Sequence, residues 1–102
     1  MPQRHAVTKL ASLPPGTGRA FVVAGTRVGL FNVDGRIHAI DDICPHAGAS
    51  LSDGPLQGKV VSCPWHYADF DVTSGKSLCP PAYSDVKSFP VFVNGDSIEV
   101  EL

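Results

Sequence analysis

The sequence predicts an all-β protein, built as an antiparallel sandwich or barrel, and two observations support this class. Short runs rich in Val, Ile and Phe alternate with polar residues and are separated by Gly, Pro, Asn and Asp, which is the pattern of strands and turns. No apolar stripe with the 3.6-residue period of a helix extends over a useful length. Because 102 residues make one small core, we expect a single domain over residues 1–102.

Turn residues between these runs define the predicted strands. The run "TRVGLFNV" is rich in β-branched and aromatic residues, and "SIEVE" alternates between apolar and polar residues. Asp34-Gly35 and Asn94-Gly95 are residue pairs of tight turns, so each predicts a hairpin between the runs on either side. In chain order, we predict strands near residues 6–10, 19–24, 26–33, 36–41, 59–62, 69–72, 86–92 and 97–101.

Charge and composition exclude several classes of protein. The formal net charge is -2 and there is no basic run, so we expect no nucleic-acid partner. No segment approaches the ~20 apolar residues of a membrane-spanning helix, so we expect no membrane partner. Three cysteines cannot all pair within one chain. A cytoplasmic protein is therefore expected, in preference to a secreted disulfide scaffold.

Two cysteine–histidine pairs are the candidate site. Cys44 and His46 lie in one loop-like stretch, and Cys63 and His66 lie in a second one after a gap of sixteen residues. A predicted strand leads directly to the second pair, so a rigid sheet is expected to hold the two loops side by side. Two thiolates and two imidazoles indicate zinc or an iron–sulfur centre, whereas calcium and magnesium prefer oxygen ligands.

The arrangement of the four donors favours a binuclear centre over zinc. Structural zinc modules usually take a CxxC pair from one element and a His pair from another. Here each loop supplies one Cys and one His, which is the arrangement expected of a centre with two unlike ends. A structural zinc module without a redox role remains the more distant alternative. Such a module would be colourless and would unfold without its metal.

"CPH" followed after sixteen residues by "CPWH" resembles the Rieske [2Fe–2S] motif, in which two His replace two Cys on one iron. The resemblance extends over most of the chain, including the "FDVTSGKSL" hairpin and the "CPPA" loop. It implies one [2Fe–2S] cluster per chain. By this resemblance Cys44 and Cys63 bind the inner iron, and His46 and His66 bind the outer iron, where the electron should reside.

The positions around the motif resemble those of a low-potential member of the family. Respiratory relatives carry an additional cysteine in each loop, and those positions here are Ala49 and Trp65. They also carry a Ser and a Tyr that donate hydrogen bonds to sulfur, and here the residues are Ala68 and Phe70. With fewer donors the reduced cluster is less stabilised, so we predict a midpoint near or below about -100 mV.

These features resemble the Rieske-type ferredoxins of non-haem oxygenase systems. The resemblance implies a one-electron carrier that takes electrons from a flavoprotein reductase and passes them to a terminal oxygenase, and that is not itself an enzyme. A small Rieske-like subunit of an assimilatory nitrite reductase is the nearer alternative. The chain departs from most such ferredoxins at Tyr67, where they have Gly.

Several residues near the motif have both a structural and a functional interpretation. Cys79 is interpreted as a thiol outside the ligand set, with a redox-active thiol as the alternative. Asp41, Asp42 and Asp53 flank the first loop and could select a basic partner, although a solvated loop face is the favoured interpretation. His38 is expected to face solvent from its strand.

Overall fold

Three antiparallel sheets make up the part of the fold that the structure describes. The computed structural model describes residues 3–43, 49–64, 68–78 and 85–102. All strand pairings within these ranges are antiparallel, which confirms the predicted all-β antiparallel class. The strands are β1 (Arg4–Lys9), β2 (Gly18–Val23), β3 (Thr26–Val33), β4 (Arg36–Asp41), β5 (Leu56–Gln57), β6 (Val60–Ser62), β7 (Asp69–Asp71), β8 (Ser88–Phe89), β9 (Val91–Asn94) and β10 (Ser97–Glu101).

The strand orders of the sheets are β1-β10-β9, β2-β3-β4-β8 and β5-β6-β7, and tight turns connect several of the neighbouring strands. Asp34 and Gly35 join β3 to β4 with φ values of 53° and 91°, as the predicted hairpin requires. The last predicted hairpin is also present. Asn94 pairs with Ser97, so its two turn residues are Gly95 and Asp96, one position later than predicted.

The predicted strand over 86–92 is wrong, because the chain changes sheet at Pro90. β8 pairs with β4 before this residue, and β9 pairs with β10 after it. Proline has no N–H to donate to a ladder, so it commonly marks the end of a strand. The sequence also did not predict β5, whose two residues pair with β6.

The helices in the described ranges are two 3-10 helices of three residues, Leu10–Ser12 and Leu51–Asp53. None of the helices there is long and apolar enough to cross a membrane.

The central sheet separates two cores. Because side chains alternate along a strand, β3 directs Val28 and Leu30 to one core and Phe31 to the other. The scaffold core, between this sheet and the sheet of β1, β9 and β10, contains Leu13, Val23, Val28, Leu30, Ile37, Ala39, Ile98 and Val100. The loop-side core, on the side of β5–β7, contains Phe31, Ile40, Ala49, Leu51, Val61, Cys63, Ala68, Phe70, Val72 and Val86.

Candidate metal centre

Cys63 is the predicted ligand that the described residues include, and it lies directly after a short, partly buried strand. It follows β6 directly, and its side chain is fully buried. Its backbone N–H donates to the Ala68 carbonyl at 2.8 Å. This bond closes the chain around positions 65–67, so the second predicted loop leaves and re-enters the sheet at adjacent points. The prediction that a strand runs up to Cys63 is confirmed.

The other three predicted ligands, Cys44, His46 and His66, lie outside the described residues. Trp65, Tyr67 and Cys79 also lie outside them. The structure does describe the residues at which each of these segments begins and ends. Their positions can therefore be compared with that of Cys63.

The first predicted loop begins and ends at hydrogen-bonded residues. Ile43 and Ser50 form an antiparallel bridge. The Leu51 N–H donates to the Asp42 carbonyl at 2.7 Å, which continues the pairing. Ala49, the first described residue after the gap, is buried. Positions 44–48 therefore join two points that lie side by side.

Apolar packing brings the bases of the two loops together. Ala49 and Leu51 from the first loop share the loop-side core with Cys63 and Ala68 from the second. A glycine permits a further close approach: a Cβ added at Gly54 would lie 1.7 Å from the Ser62 carbonyl oxygen, so a side chain has no room there. The structure thus places Cys63 next to the base of the segment that carries Cys44 and His46.

The described residues on both sides of a third segment, residues 79–84, lie close to the second loop. The Leu78 N–H donates to the carbonyl of Asp69, the first residue of β7, at 2.9 Å. On the far side of the gap, Asp85 Oδ1 accepts from the Ser77 N–H at 2.8 Å. The predicted "FDVTSGKSL" hairpin is present, with Ser77 bridged to Phe70.

The surroundings of Cys63 fit a thiolate ligand of an iron–sulfur cluster. The thiol lies in an apolar core, and its neighbours there include the short side chains of Ala49 and Ala68. Ala68 and Phe70 are both buried, and neither side chain has a hydroxyl that could donate to sulfur. This donor chemistry is that of the cysteine-ligated, buried end of the predicted centre.

The acidic residues beside the first loop were not all interpreted correctly. Asp42 is fully buried and forms a salt bridge with Arg27, with 3.2 Å between Oδ2 and Nε. The solvated or partner-selecting role considered for it is therefore wrong, while Asp53 is exposed. No local pattern indicates this pairing, because Arg27 precedes Asp42 by fifteen residues and lies on the neighbouring strand.

His38 lines a cleft on the loop side of β4, because it pairs with Phe31 and lies on the same face of the strand as Ile40. The cleft has a volume of about 490 Å³, and Thr73, Ser88 and Phe89 also line it. Partial burial lowers the pKa of His38 below its ordinary value of 6.5, Arg36 adds to this effect, and the charge of Asp71 opposes it. His38 is thus partly buried, which corrects the expectation that it simply faces solvent.

Comparison with known proteins identifies the family. Residues 3–90 match the family model described as the Rieske [2Fe–2S] domain. This chain belongs to that family. The membership confirms the predicted cofactor, one [2Fe–2S] cluster, and the predicted Rieske type of fold.

A curated relative and a solved structure agree with this assignment. The ferredoxin component of the naphthalene 1,2-dioxygenase system of Pseudomonas aeruginosa is 37% identical over 93 residues, which are 91% of this chain and 89% of the relative. The ferredoxin of carbazole 1,9a-dioxygenase from Nocardioides aromaticivorans IC177 superposes with a TM-score of 0.90 at 32% identity, covering 95% of both chains. The predicted resemblance to Rieske-type ferredoxins is confirmed.

Two further structural neighbours belong to different kinds of system. One belongs to a complex of reduced oxygenase and oxidized ferredoxin in carbazole 1,9a-dioxygenase, with a TM-score of 0.88, 31% identity and coverage of 95% and 91% of the two chains. The other is a protein described as an NADH-dependent nitrite reductase small subunit, from Mycobacterium tuberculosis, with a TM-score of 0.89, 25% identity and coverage of 100% and 96%.

Proposed function

We propose that this Rieske protein is a one-electron carrier, a ferredoxin component that accepts electrons from a flavoprotein reductase and delivers them to a terminal oxygenase. The observation that carries the proposal is the position of Cys63, buried beside the base of the first loop in a chain of this family. The relative named as a dioxygenase ferredoxin component supports the choice of partners.

Four residues of the chain would hold the cluster, which supplies reversible uptake of a single electron when bound. Cys44 and Cys63 would bind the inner iron, and His46 and His66 the outer one. Burial of Cys63 excludes water from the inner end, so exchange with a partner would take place at the histidine end.

The apolar side chains beside Cys63 support a low reduction potential. Ala68 and Phe70 cannot donate a hydrogen bond from a hydroxyl to the cluster or to the ligand sulfur, and such bonds would stabilise the additional negative charge of the reduced form. The prediction of a midpoint near or below about -100 mV therefore stands as part of the proposal.

The compartment and the domain count belong to the same proposal. A cluster held by cysteine thiolates requires that those thiols remain reduced, which the cytoplasm favours. The family match spans residues 3–90, and the hairpin of β9 and β10 completes the sheet that covers the scaffold core. Both observations support one domain over residues 1–102.

The ligand set can be tested by spectroscopy on matched variants. Wild-type protein should be red-brown, bleach with dithionite and give a rhombic EPR signal with an average g of ~1.9. Cys63→Ser should lose this centre, since it replaces a proposed ligand. Cys79→Ser is the matched control, because it removes the thiol placed outside the ligand set, and it should retain the signal. A colourless wild-type protein with one bound zinc would overturn the proposal.

The partner can be tested through two exposed apolar side chains. Leu78 is 47% exposed and lies beside Asp69, at the end of β7 nearest Cys63. Val93 is 48% exposed and lies on β9, in the sheet over the scaffold core. If an oxygenase docks at the loop end, Leu78→Ser should slow electron delivery in stopped-flow mixing and Val93→Ser should not. Equal rates for wild type and both variants would contradict docking at that end.

The nitrite reductase alternative is retained because of one structural neighbour, the NADH-dependent small subunit. It predicts a stable complex with a large haem-containing partner, whereas a ferredoxin forms transient complexes. Size-exclusion chromatography of the protein with each class of partner, together with electron-delivery rates, distinguishes the two functions.

A further inference from the structure

A buried carboxylate lies at the base of the first loop. Asp42 is 0% exposed, and its Oδ1 accepts from the Ser52 backbone N–H at 2.8 Å. Its Oδ2 accepts from Arg27 Nε at 3.2 Å and also from the Ser50 hydroxyl. The same hydroxyl accepts a hydrogen bond from Arg27 Nη2 at 2.6 Å. Three groups from two parts of the chain therefore meet on one carboxylate.

These bonds close the segment that carries two proposed ligands. Asp42 precedes positions 44–48, and Ser50 and Ser52 follow them, so the carboxylate joins both ends of the loop across the gap. The neighbouring strand leaves room for this arrangement: a Cβ added at Gly29 would lie 2.7 Å from Asp42 Oδ1. The carboxylate is therefore enclosed on the strand side as well.

The counterion of Asp42 is much more exposed to solvent than Asp42 itself. The Arg27 side chain is 47% exposed while that of Asp42 is fully buried. Solvent screens the exposed cation more than it screens the buried anion. Cys44 follows Asp42 by two residues, a chain length of about 7 Å, so both charges lie within electrostatic range of a cluster bound to Cys44.

We infer that Asp42 is a positioning residue for the metal centre: it fixes the base of the first ligand loop and, together with Arg27, sets the local charge against which the cluster is reduced. This inference rests on the proposed ligand roles of Cys44 and His46. One-electron reduction adds one negative charge, which a nearby anion disfavours and a nearby cation favours.

The inference predicts midpoint shifts of opposite sign for the two partners. Asp42→Asn removes the anion, so the midpoint should rise. Arg27→Gln removes the cation and should lower it, and the double variant should return towards the wild-type value. Asp53→Asn is the matched control, since it makes the same charge change at an exposed carboxylate on the 3-10 helix that begins at Leu51. Screening by solvent should leave its shift smaller.

The rate of iron release gives a second measurement on the same variants, because it depends on how firmly the base of the first loop is held. An amide at position 42 cannot accept all three hydrogen bonds, so release of iron to a chelator should accelerate by about tenfold in Asp42→Asn. In Asp53→Asn the release rate should remain at the wild-type value. Redox titration and chelator kinetics both use the isolated protein and require no partner.

The inference is overturned if the Asp42 and Arg27 variants shift the midpoint in the same direction, as loosening of the loop alone would do. It is also overturned if neither differs from Asp53→Asn. Should Asp42→Asn fail to fold, Arg27→Gln decides, since an unchanged midpoint contradicts the inference and a lowered one supports it. A wild-type protein without a cluster would overturn the proposed function too, whereas a loaded wild type with unresponsive variants overturns this inference alone.

Discussion

The scaffold core and the loop-side core are built in different ways. The strands β2, β3 and β4 have six to eight residues each, and each hairpin between them pairs six residues of each strand. On the loop side, β5, β6 and β7 have two or three residues. Ladder pairing therefore contributes more to the scaffold side, whereas the loop side depends more on hydrogen bonds between irregular segments.

The loop-side bonds are individually weak and widely distributed. Val72 donates its N–H to the Lys59 carbonyl at 2.9 Å, and the Lys59 ammonium lies 3.4 Å from Asp71 Oδ2. Burial alone would raise the pKa of Asp71, but hydrogen bonds from Thr73 and Lys59 lower it below its ordinary value. A small sheet of this kind gains much from a metal centre that joins its loops.

Removal of the cluster should have the largest effect and should be confined to the loop side. The amides of Val61, Cys63 and Phe70 should lose protection in hydrogen exchange, because the proposed metal ties their segments together. The amide of Leu30, in the long β3 ladder, should stay protected. Equal loss of protection on both sides would show that the two cores unfold as one unit.

One glycine on the loop side has no room for a side chain, and one glycine on the scaffold side has a backbone conformation that favours glycine. Gly54→Ala places a Cβ 1.7 Å from the Ser62 carbonyl oxygen, so the chain must move, at a cost of about 3 kcal/mol. Gly95→Ala meets open space but has a φ of 65°, which costs a non-glycine residue about 1 kcal/mol. Denaturant unfolding of both variants measures the difference, and equal losses would contradict this reading of the loop base.

The smallest expected effect is a pH dependence at His38, on the loop side of β4. Burial first, with Arg36 adding and Asp71 opposing, lowers the pKa of His38 below 6.5 in the folded protein. As the pH falls from about 7 to 5, the unfolded chain binds the proton before the folded one, so the free energy of unfolding decreases. The loss should be small, because solvent screens the partly exposed imidazole, and His38→Gln should remove it. Identical pH slopes for wild type and variant would contradict the assignment.

Prediction from the sequence succeeded where the chemistry is local. Asp34-Gly35 defines its hairpin through the φ > 0 conformation that these two residues adopt readily, and no distant residue is needed. Prediction failed where the structure depends on residues far apart in the chain. The sequence predicts one strand through Pro90, because it does not show that β8 and β9 pair with different neighbours.

The sequence by itself determined the antiparallel class, the hairpins and the spacing of the two Cys/His pairs, because all three depend on neighbouring residues. Only the tertiary structure decided which residues form each core and that Asp42 is buried against Arg27 from another strand. Burial depends on contacts between segments far apart in the chain, so a carboxylate beside a loop has the same local sequence whether water or a guanidinium surrounds it.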